Sequence, residues 1–298
     1  MSHLSARVVP AYAKLNLSLS VIGRRADGFH DIDSILVPID WHDLVGVGVT
    51  FAATESVSLN VTGPAAAGVP NGDSNLTVGA AHALIQLAGR PLDVRLWLNK
   101  TVPHGAGLGG GSGDAAAVLR AGTAELAALG IGVHSDQVAA AALRIGSDIP
   151  ALLDLGAHRV RGRGERLEQL PTPQLHVTIV STVPSSTAAT YRALLAADIR
   201  DDGRAARLAE LLATGHMHDA AVMDAVMGSA LEPAACRADA TVATAVRRAR
   251  AAHPEIEWHM TGSGGALFAV AADAVESERL AAAMRAAGFA ARAARTIG

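Results

Sequence analysis

Residues 103–117 read PHGAGLGGGSGDAAA, with six glycines between Gly105 and Gly113 and a helix-forming run directly behind them. Glycine lets a backbone turn with positive φ and approach a ligand with no Cβ in the way. A helix N-terminus adds unpaired N–H groups and the positive end of the helix dipole. Together they make an anion site, and phosphate is its usual occupant. The predicted helix carries Ala115, Val118, Leu119, Gly122, Leu126 and Leu129 on one face, with Ser112 or Asp114 as its cap. A merely flexible loop leaves so many glycines unexplained, because each costs chain entropy on folding.

The residues behind the glycines narrow the type of phosphate site. A Walker A loop ends in Gly-Lys-Ser/Thr, whereas Gly111 here is succeeded by Ser112, Gly113 and Asp114. Gly105, Gly107 and Gly110 satisfy the dinucleotide pattern G-x-G-x-x-G. That pattern also wants an acidic residue about 20 positions on, at the end of a second strand. The nearest acid, Glu125, falls inside the predicted helix. An NAD-dependent oxidoreductase is therefore the runner-up.

Other residues offer chemistry with a plain structural alternative beside it. Lys14 and Asn16 share one face of a predicted strand, where a lysine either snorkels to solvent or works in a site. Asp148, two residues before Pro150, is by itself most simply a helix N-cap. His30 by itself could be any edge-strand histidine. Twelve histidines raise a metal site, but His216 and His218 are two apart and diverge on a helix. No H-E-x-x-H or Cys/His framework accompanies them, so no protein-only metal site is expected.

At 298 residues the chain is long enough for two domains with their own cores, built from Ala, Val and Leu because aromatics make up only 3%. A net charge of −3 argues against nucleic-acid binding, and RVRGR (159–163) and RRAR (247–250) are expected to be solvated faces. The one cysteine, Cys236, excludes an intramolecular disulfide and fits a reducing cytosol. No apolar run of about 18 residues is free of charges or breakers, and MSHLSARVVP does not read as a signal peptide. A soluble, cytoplasmic protein without a membrane partner is expected.

Periodicity predicts the elements that position these residues. Residues 7–22 alternate, with Leu15, Leu17, Leu19 and Val21 opposite Lys14, Asn16, Ser18 and Ser20, which predicts a half-buried strand with one polar face. A turn at Gly23–Gly28 leads to a second strand, HDIDSILVPID. Strands are expected at 57–63 and 94–99 with a helix around 75–88 between them. A helix over 135–145 is capped by Ser135 and ended by Gly146. After Pro171-Thr-Pro173 a strand opens at 175–182, helices run to about 252, and 257–271 reads strand, glycine turn, strand, then a final helix. The class is α+β in two layered domains.

In order and spacing these motifs resemble the GHMP family of small-molecule kinases over nearly the whole chain. AKLNL (13–17), PHGAGLGGGSGDAAA (103–117) and MTGSGGALFAV (260–270) look like the family's three motifs. GRRADGFH (23–30), GSDIP (146–150) and GRGERL (162–167) are similar to the members that phosphorylate a cytidine diphosphate-linked sugar alcohol on a tertiary hydroxyl, in isoprenoid precursor synthesis. The resemblance implies a two-domain GHMP kinase fold. A domain like domain 2 of ribosomal protein S5 would cover residues 1–171, and a ferredoxin-like domain residues 172–298.

It also implies roles. Pro103, Gly105, Ala106, Gly107, Leu108, Gly109, Gly110, Gly111 and Ser112 would hold the ATP phosphates, with Mg²⁺ bridging their oxygens, and Asn75 and Lys100 would belong to the adenine pocket. Asp148 would accept or orient the hydroxyl proton, and Lys14 would steady the transferring charge. Asn16 would hold the acceptor, His30 would read the cytosine edge, Phe29 and Tyr191 would bracket the base, and Thr187 would help to place it. The chain departs from the pattern at Phe29, where Tyr is common, and at Gly113, where Ser or Ala is usual. The second change is expected to loosen the helix start by up to about 1 kcal/mol. A homoserine- or mevalonate-type kinase and a non-catalytic sensor are the alternatives within the fold. GRRADGFH weighs against the former, and Lys14 with Asp148 against the latter.

Overall fold

The computed structural model describes residues 6–215 and 220–298; His216, His218 and the first five residues lie outside them. The chain forms two compact units, and neither is a single run of sequence. One holds the chain up to Ala13, Trp41–His104 and Gly109–Asp154; the other holds Lys14–Asp40, Gly105–Leu108 and Leu155–Gly298. The boundary expected at 171/172 falls inside the second unit. The interleaving arises because two long strands, β1 (Ala6–Arg24) and β2 (His30–Phe51), each give a part to both units.

In the first unit β3 (Ser56–Thr62), α1 (Leu76–Ala88) and β4 (Leu92–Asn99) form a crossover that leaves β3 and β4 parallel. β4 pairs antiparallel with β2 from Leu44↔Asn99 to Phe51↔Leu92. Leu92, Val94, Leu96 and Leu98 of β4 are buried while the residues between them are not, so this strand hides one face. α1, α2 (Gly110–Ala128) and α3 (Ser135–Ile145) pack together. A Cβ on Gly122 of α2 would lie 2.1 Å from Leu84 Cδ1, so this glycine sets how closely α1 and α2 approach. The expected helical face is buried at Ala115, Val118, Leu119, Gly122 and Leu126. The caps differ from expectation. α2 starts at Gly110 behind Gly109, with no side-chain cap, because the glycine turn itself enters the helix. α3 is capped at His134, one residue before Ser135, and Gly146 ends it in an extended conformation.

In the second unit β2 pairs antiparallel with β5 (Ala157–Gly162), and β5 with β6 (Arg166–Leu170). A second sheet contains β7 (His176–Ser181), and the chain then runs through α4 (Thr187–Arg192), α5 (Arg204–Thr214) and α6 (Ala220–Asp224). The short β8 (Gly228–Ser229) lies parallel to β1 at Ser18↔Gly228. α7 (Glu232–Ala238), α8 (Ala240–Ala252), β9 (His259–Met260), β10 (Ala266–Ala271), α9 (Ala274–Ala286) and β11 (Ala290–Arg295) complete the chain. The second sheet has the order β11-β7-β10-β9 with every pair antiparallel, the ferredoxin-like arrangement. Trp258, Val246, Leu267 and Met284 fill its core.

The structure corrects three expectations. The polar face of β1 is as buried as the apolar one: Lys14, Asn16, Ser18 and Ser20 are all under 5% exposed. A strand alternates because one face is polar, and that does not require the polar face to meet water. β11 has no counterpart among the expected strands, because AARAAR carries no strand propensity; its place comes from pairing with β7. RVRGR is no plain solvated face, since Arg159 makes two bonds to Asp33 across β5 and β2, at 2.9 and 2.7 Å.

Candidate active site

The loop at Gly105–Leu108 alternates between anchors and open positions. Ala106 and Leu108 are buried, and the glycine before each has positive φ, 74° at both Gly105 and Gly107. The turn between β9 and β10, Thr261–Gly265, packs directly on it. A Cβ on Gly107 would lie 2.3 Å from the Gly264 carbonyl oxygen, and one on Gly265 would lie 2.5 Å from the Gly105 carbonyl oxygen. The amide of Ser185 donates to the Gly105 carbonyl at 2.9 Å. The glycines are therefore required by backbone-to-backbone contact, and the second and third glycine motifs form one interlocked structure.

Lys14 and Asn16 join the same cluster. The Lys14 amide donates to the Leu108 carbonyl at 2.8 Å, and the Asn16 amide donates to Thr261 Oγ1 at 2.8 Å. Lys14 Nζ donates to Asn16 Oδ1 at 2.5 Å, and Asn16 Nδ2 donates to Ser34 Oγ at 2.8 Å. Gly262 has a φ of 59°, which favours glycine, and a Cβ there would stand 3.1 Å from the Gly107 carbonyl oxygen and 3.2 Å from Lys14 Nζ. With 3% of its surface exposed, Lys14 does not snorkel. It is a buried lysine held beside the glycine loop.

His30 and Tyr191 are brought together, with ring centroids 5.2 Å apart and planes tilted by 34°. Burial lowers the His30 pKa and the Arg24 charge lowers it further, which favours the neutral ring with one donor and one acceptor. Phe29 is 48% exposed and carries the Arg163 guanidinium 4.3 Å from its ring centre. Thr187 opens α4, and its Oγ1 lies 2.8 Å from Ser263 Oγ in the third motif.

The remaining expected residues belong to the first unit. Gly109 (φ 66°) leads into Gly110, Gly111 and Ser112, the uncapped first turn of α2. Pro103 is half-buried ahead of them. Asn75 caps α1, its Oδ1 accepting from the Thr77 amide at 2.9 Å and its Nδ2 donating to the Pro70 carbonyl at 2.7 Å. Lys100 Nζ is buried between Asp43 Oδ2 at 2.5 Å and Asp114 Oδ2 at 2.6 Å. Burial pushes the Asp114 carboxyl up to about 7 against the pull of Lys100, and the two carboxylates raise the lysine in spite of its own burial. Asp148 sits in the turn before the short helix Pro150–Leu152. That helix has Ile149, not Asp148, at its N-cap position.

Sequence reasoning missed several members of these clusters. Asp43 and Ser34 carry no local signature of a site, and Thr261 lies in the third motif without having been singled out. Asp114 is visible in the sequence only as a cap, which it is not. One available signal is the spacing of polar residues on β1, whose partners must be buried polar groups once that face is covered.

Residues 75–154 match the family model for the GHMP kinases N terminal domain. Over 278 residues the chain is 37% identical to the 4-diphosphocytidyl-2-C-methyl-D-erythritol kinase of Moorella thermoacetica, which covers 92% of this chain and 93% of the relative. It is 34% identical over 295 residues to the protein of that name from Paramagnetospirillum magneticum, with 94% of each covered. Among solved structures, the crystal structure of 4-(cytidine 5'-diphospho)-2C-methyl-D-erythritol kinase is similar with a TM-score of 0.76 at 32% identity, over 98% of this chain and 100% of that one. The homoserine kinase of Cytophaga hutchinsonii, with a TM-score of 0.72 at 17% identity over 100% of this chain and 96% of that one, shares the fold.

Proposed function

The chain belongs to the GHMP kinase family and to its 4-diphosphocytidyl-2-C-methyl-D-erythritol kinases, and from that premise we propose that it transfers the γ-phosphate of ATP to the 2-hydroxyl of 4-diphosphocytidyl-2-C-methyl-D-erythritol. It is an ATP-dependent phosphotransferase with an alcohol acceptor, in the non-mevalonate isoprenoid pathway. The NAD-dependent oxidoreductase is overturned by the family match, and homoserine- or mevalonate-type acceptors give way to the cytidyl one.

One observation carries the phosphoryl-transfer reading: positive-φ glycines at 105, 107 and 109 run into the N-terminus of α2, which has no side-chain cap. Such a junction fits a triphosphate, because its backbone amides can face the ligand and no Cβ obstructs the approach. Residues Pro103 and Gly105–Ser112 would hold the phosphates, with Asn75 and Lys100 serving the adenine side. Mg²⁺ would arrive with the nucleotide and offset phosphate charge; no residue of the chain is assigned to it.

Asp148 is proposed to take the proton of the attacking hydroxyl, whose oxygen then bonds the γ-phosphorus as ADP departs. Lys14 supplies a fixed positive charge for the transferring group, in a buried setting where charge acts more strongly than in water. Asn16 orients both Lys14 and the acceptor. Neutral His30 reads the cytosine edge, Phe29 and Tyr191 stack on the base, and Thr187 helps to place it. The division of roles between residues 1–171 and 172–298, and a cytoplasmic location, form part of the same proposal. Among the described residues no helix is long and apolar enough to cross a membrane.

A coupled assay for ADP release tests the proposal against three acceptors: the cytidyl substrate, homoserine and mevalonate. Turnover with the first alone is expected. Comparable kcat/KM for homoserine or mevalonate would overturn it.

A further inference from the structure

Lys100 directly follows β4, the strand that leads into the glycine segment, and its ammonium is the centre of a buried ionic cluster. Asp43, on β2, binds Lys100 Nζ with Oδ2 at 2.5 Å, while its Oδ1 accepts the amides of Thr101 and Val102, the latter at 2.9 Å. Thr101 Oγ1 donates to the His42 carbonyl at 2.6 Å. Asp114, one turn into α2, binds the same ammonium at 2.6 Å. A Cβ on Gly110, the first residue of α2, would lie 3.3 Å from Lys100 Nζ. The residues that open the glycine segment and the helix that closes it are thus tied to one buried charge.

Folding stability does not explain this cluster. Two carboxylates share one ammonium, all three side chains are at most 3% exposed, and Asp114 Oδ1 is buried with no hydrogen-bond partner. A buried ion cluster is weak evidence for stability, and well-packed apolar side chains of equal volume often serve as well or better. An apolar trio cannot hold two ends of a segment at hydrogen-bond distance in one orientation, which charge-assisted bonds do. The raised pKa of Asp114 points the same way, because holding that carboxylate charged costs free energy.

We propose that Asp43 and Asp114, acting through Lys100, are positioning residues for the nucleotide, a clasp that holds the glycine segment open in its phosphate-binding shape. The proposal rests on the kinase reading above. It assigns to the two aspartates an effect on nucleotide affinity that contact with the nucleotide does not require.

Calorimetric titration with ADP and Mg²⁺ compares the wild type with Asp114→Asn, which keeps the shape and leaves Lys100 paired to Asp43. ADP binding is expected to weaken at least tenfold, while KM for the cytidyl acceptor stays within twofold and the thermal midpoint at pH 8 does not fall. An ADP Kd within twofold of wild type, or equal losses of ADP and acceptor affinity, would overturn the clasp. A wild type that binds no ADP would instead overturn the kinase reading. If Asp114→Asn fails to fold, amide exchange in the nucleotide-free wild type decides. Thr101 and Val102 are expected to be strongly protected compared with Gly105–Gly111, and equal exchange in the two groups refutes the proposal.

Discussion

Lys14 could have reached solvent along an apolar stem, yet it is buried and bonded to Asn16 Oδ1. Lys14→Met keeps the stem and removes the charge, and kcat should fall roughly 10²–10³-fold. Asp148→Asn, which keeps the side-chain shape, should lose on the order of 10²–10⁴ in activity with a normal melt. If either variant keeps kcat within a few-fold of wild type, that residue has no part in the chemistry. His30 is proposed to act on the other substrate. A site that hydrogen-bonds its ligand rejects analogues lacking the partner by large factors, so His30→Ala should raise KM for the cytidyl acceptor strongly and KM for ATP little. Its lowered pKa gives a sign as well. The neutral ring persists through pH 7 and is lost only below the ordinary 6.5, so acceptor KM should rise on acidification in the wild type and far less in His30→Ala. Parallel pH profiles for the two proteins would remove His30 from base recognition.

Close approach of backbones governs the elements around the site, and it reverses one expectation from helix propensity. Gly113, taken from the sequence alone, costs α2 up to about 1 kcal/mol relative to alanine. In the structure a Cβ there would lie 2.4 Å from the Tyr12 carbonyl oxygen on β1, a backbone atom that cannot rotate aside. Gly113→Ala should therefore lower the melting temperature, with an overpacking cost of about 1–3 kcal/mol outweighing the propensity gain. A thermal melt that moves upward would show that β1 and α2 have slack at this point. The same logic applies to Gly107, whose contact is with the Gly264 carbonyl. In both places glycine is selected by a neighbouring chain segment.

Across the whole molecule the buried charges make stability depend on pH in a predictable direction. The folded chain holds the Asp114 proton up to about pH 7, whereas the unfolded chain releases it near the ordinary 3.8. Between those values the native state binds more protons, so the contribution of Asp114 is in place at low pH and is lost as pH rises toward 7. Asp114→Asn should flatten that part of the curve when denaturant unfolding is measured from pH 5 to pH 8; an unchanged slope would mean that the group stays ionised throughout. The sequence by itself determined the features that rest on local rules. The helices at 76–88, 110–128 and 135–145 follow from periodicity, and the glycine turn into α2 follows from the demand for positive φ. The candidate residues Lys14, Asn16 and His30 could be singled out in the same way, because they stand at strand positions where polar side chains need a reason. Tertiary structure alone decided that the polar face of β1 is buried, that the alanine-rich Ala290–Arg295 becomes a strand, and that Lys100 meets Asp43 and Asp114. Each of these depends on partners far along the chain, and such contacts leave no periodic trace in the residues that make them.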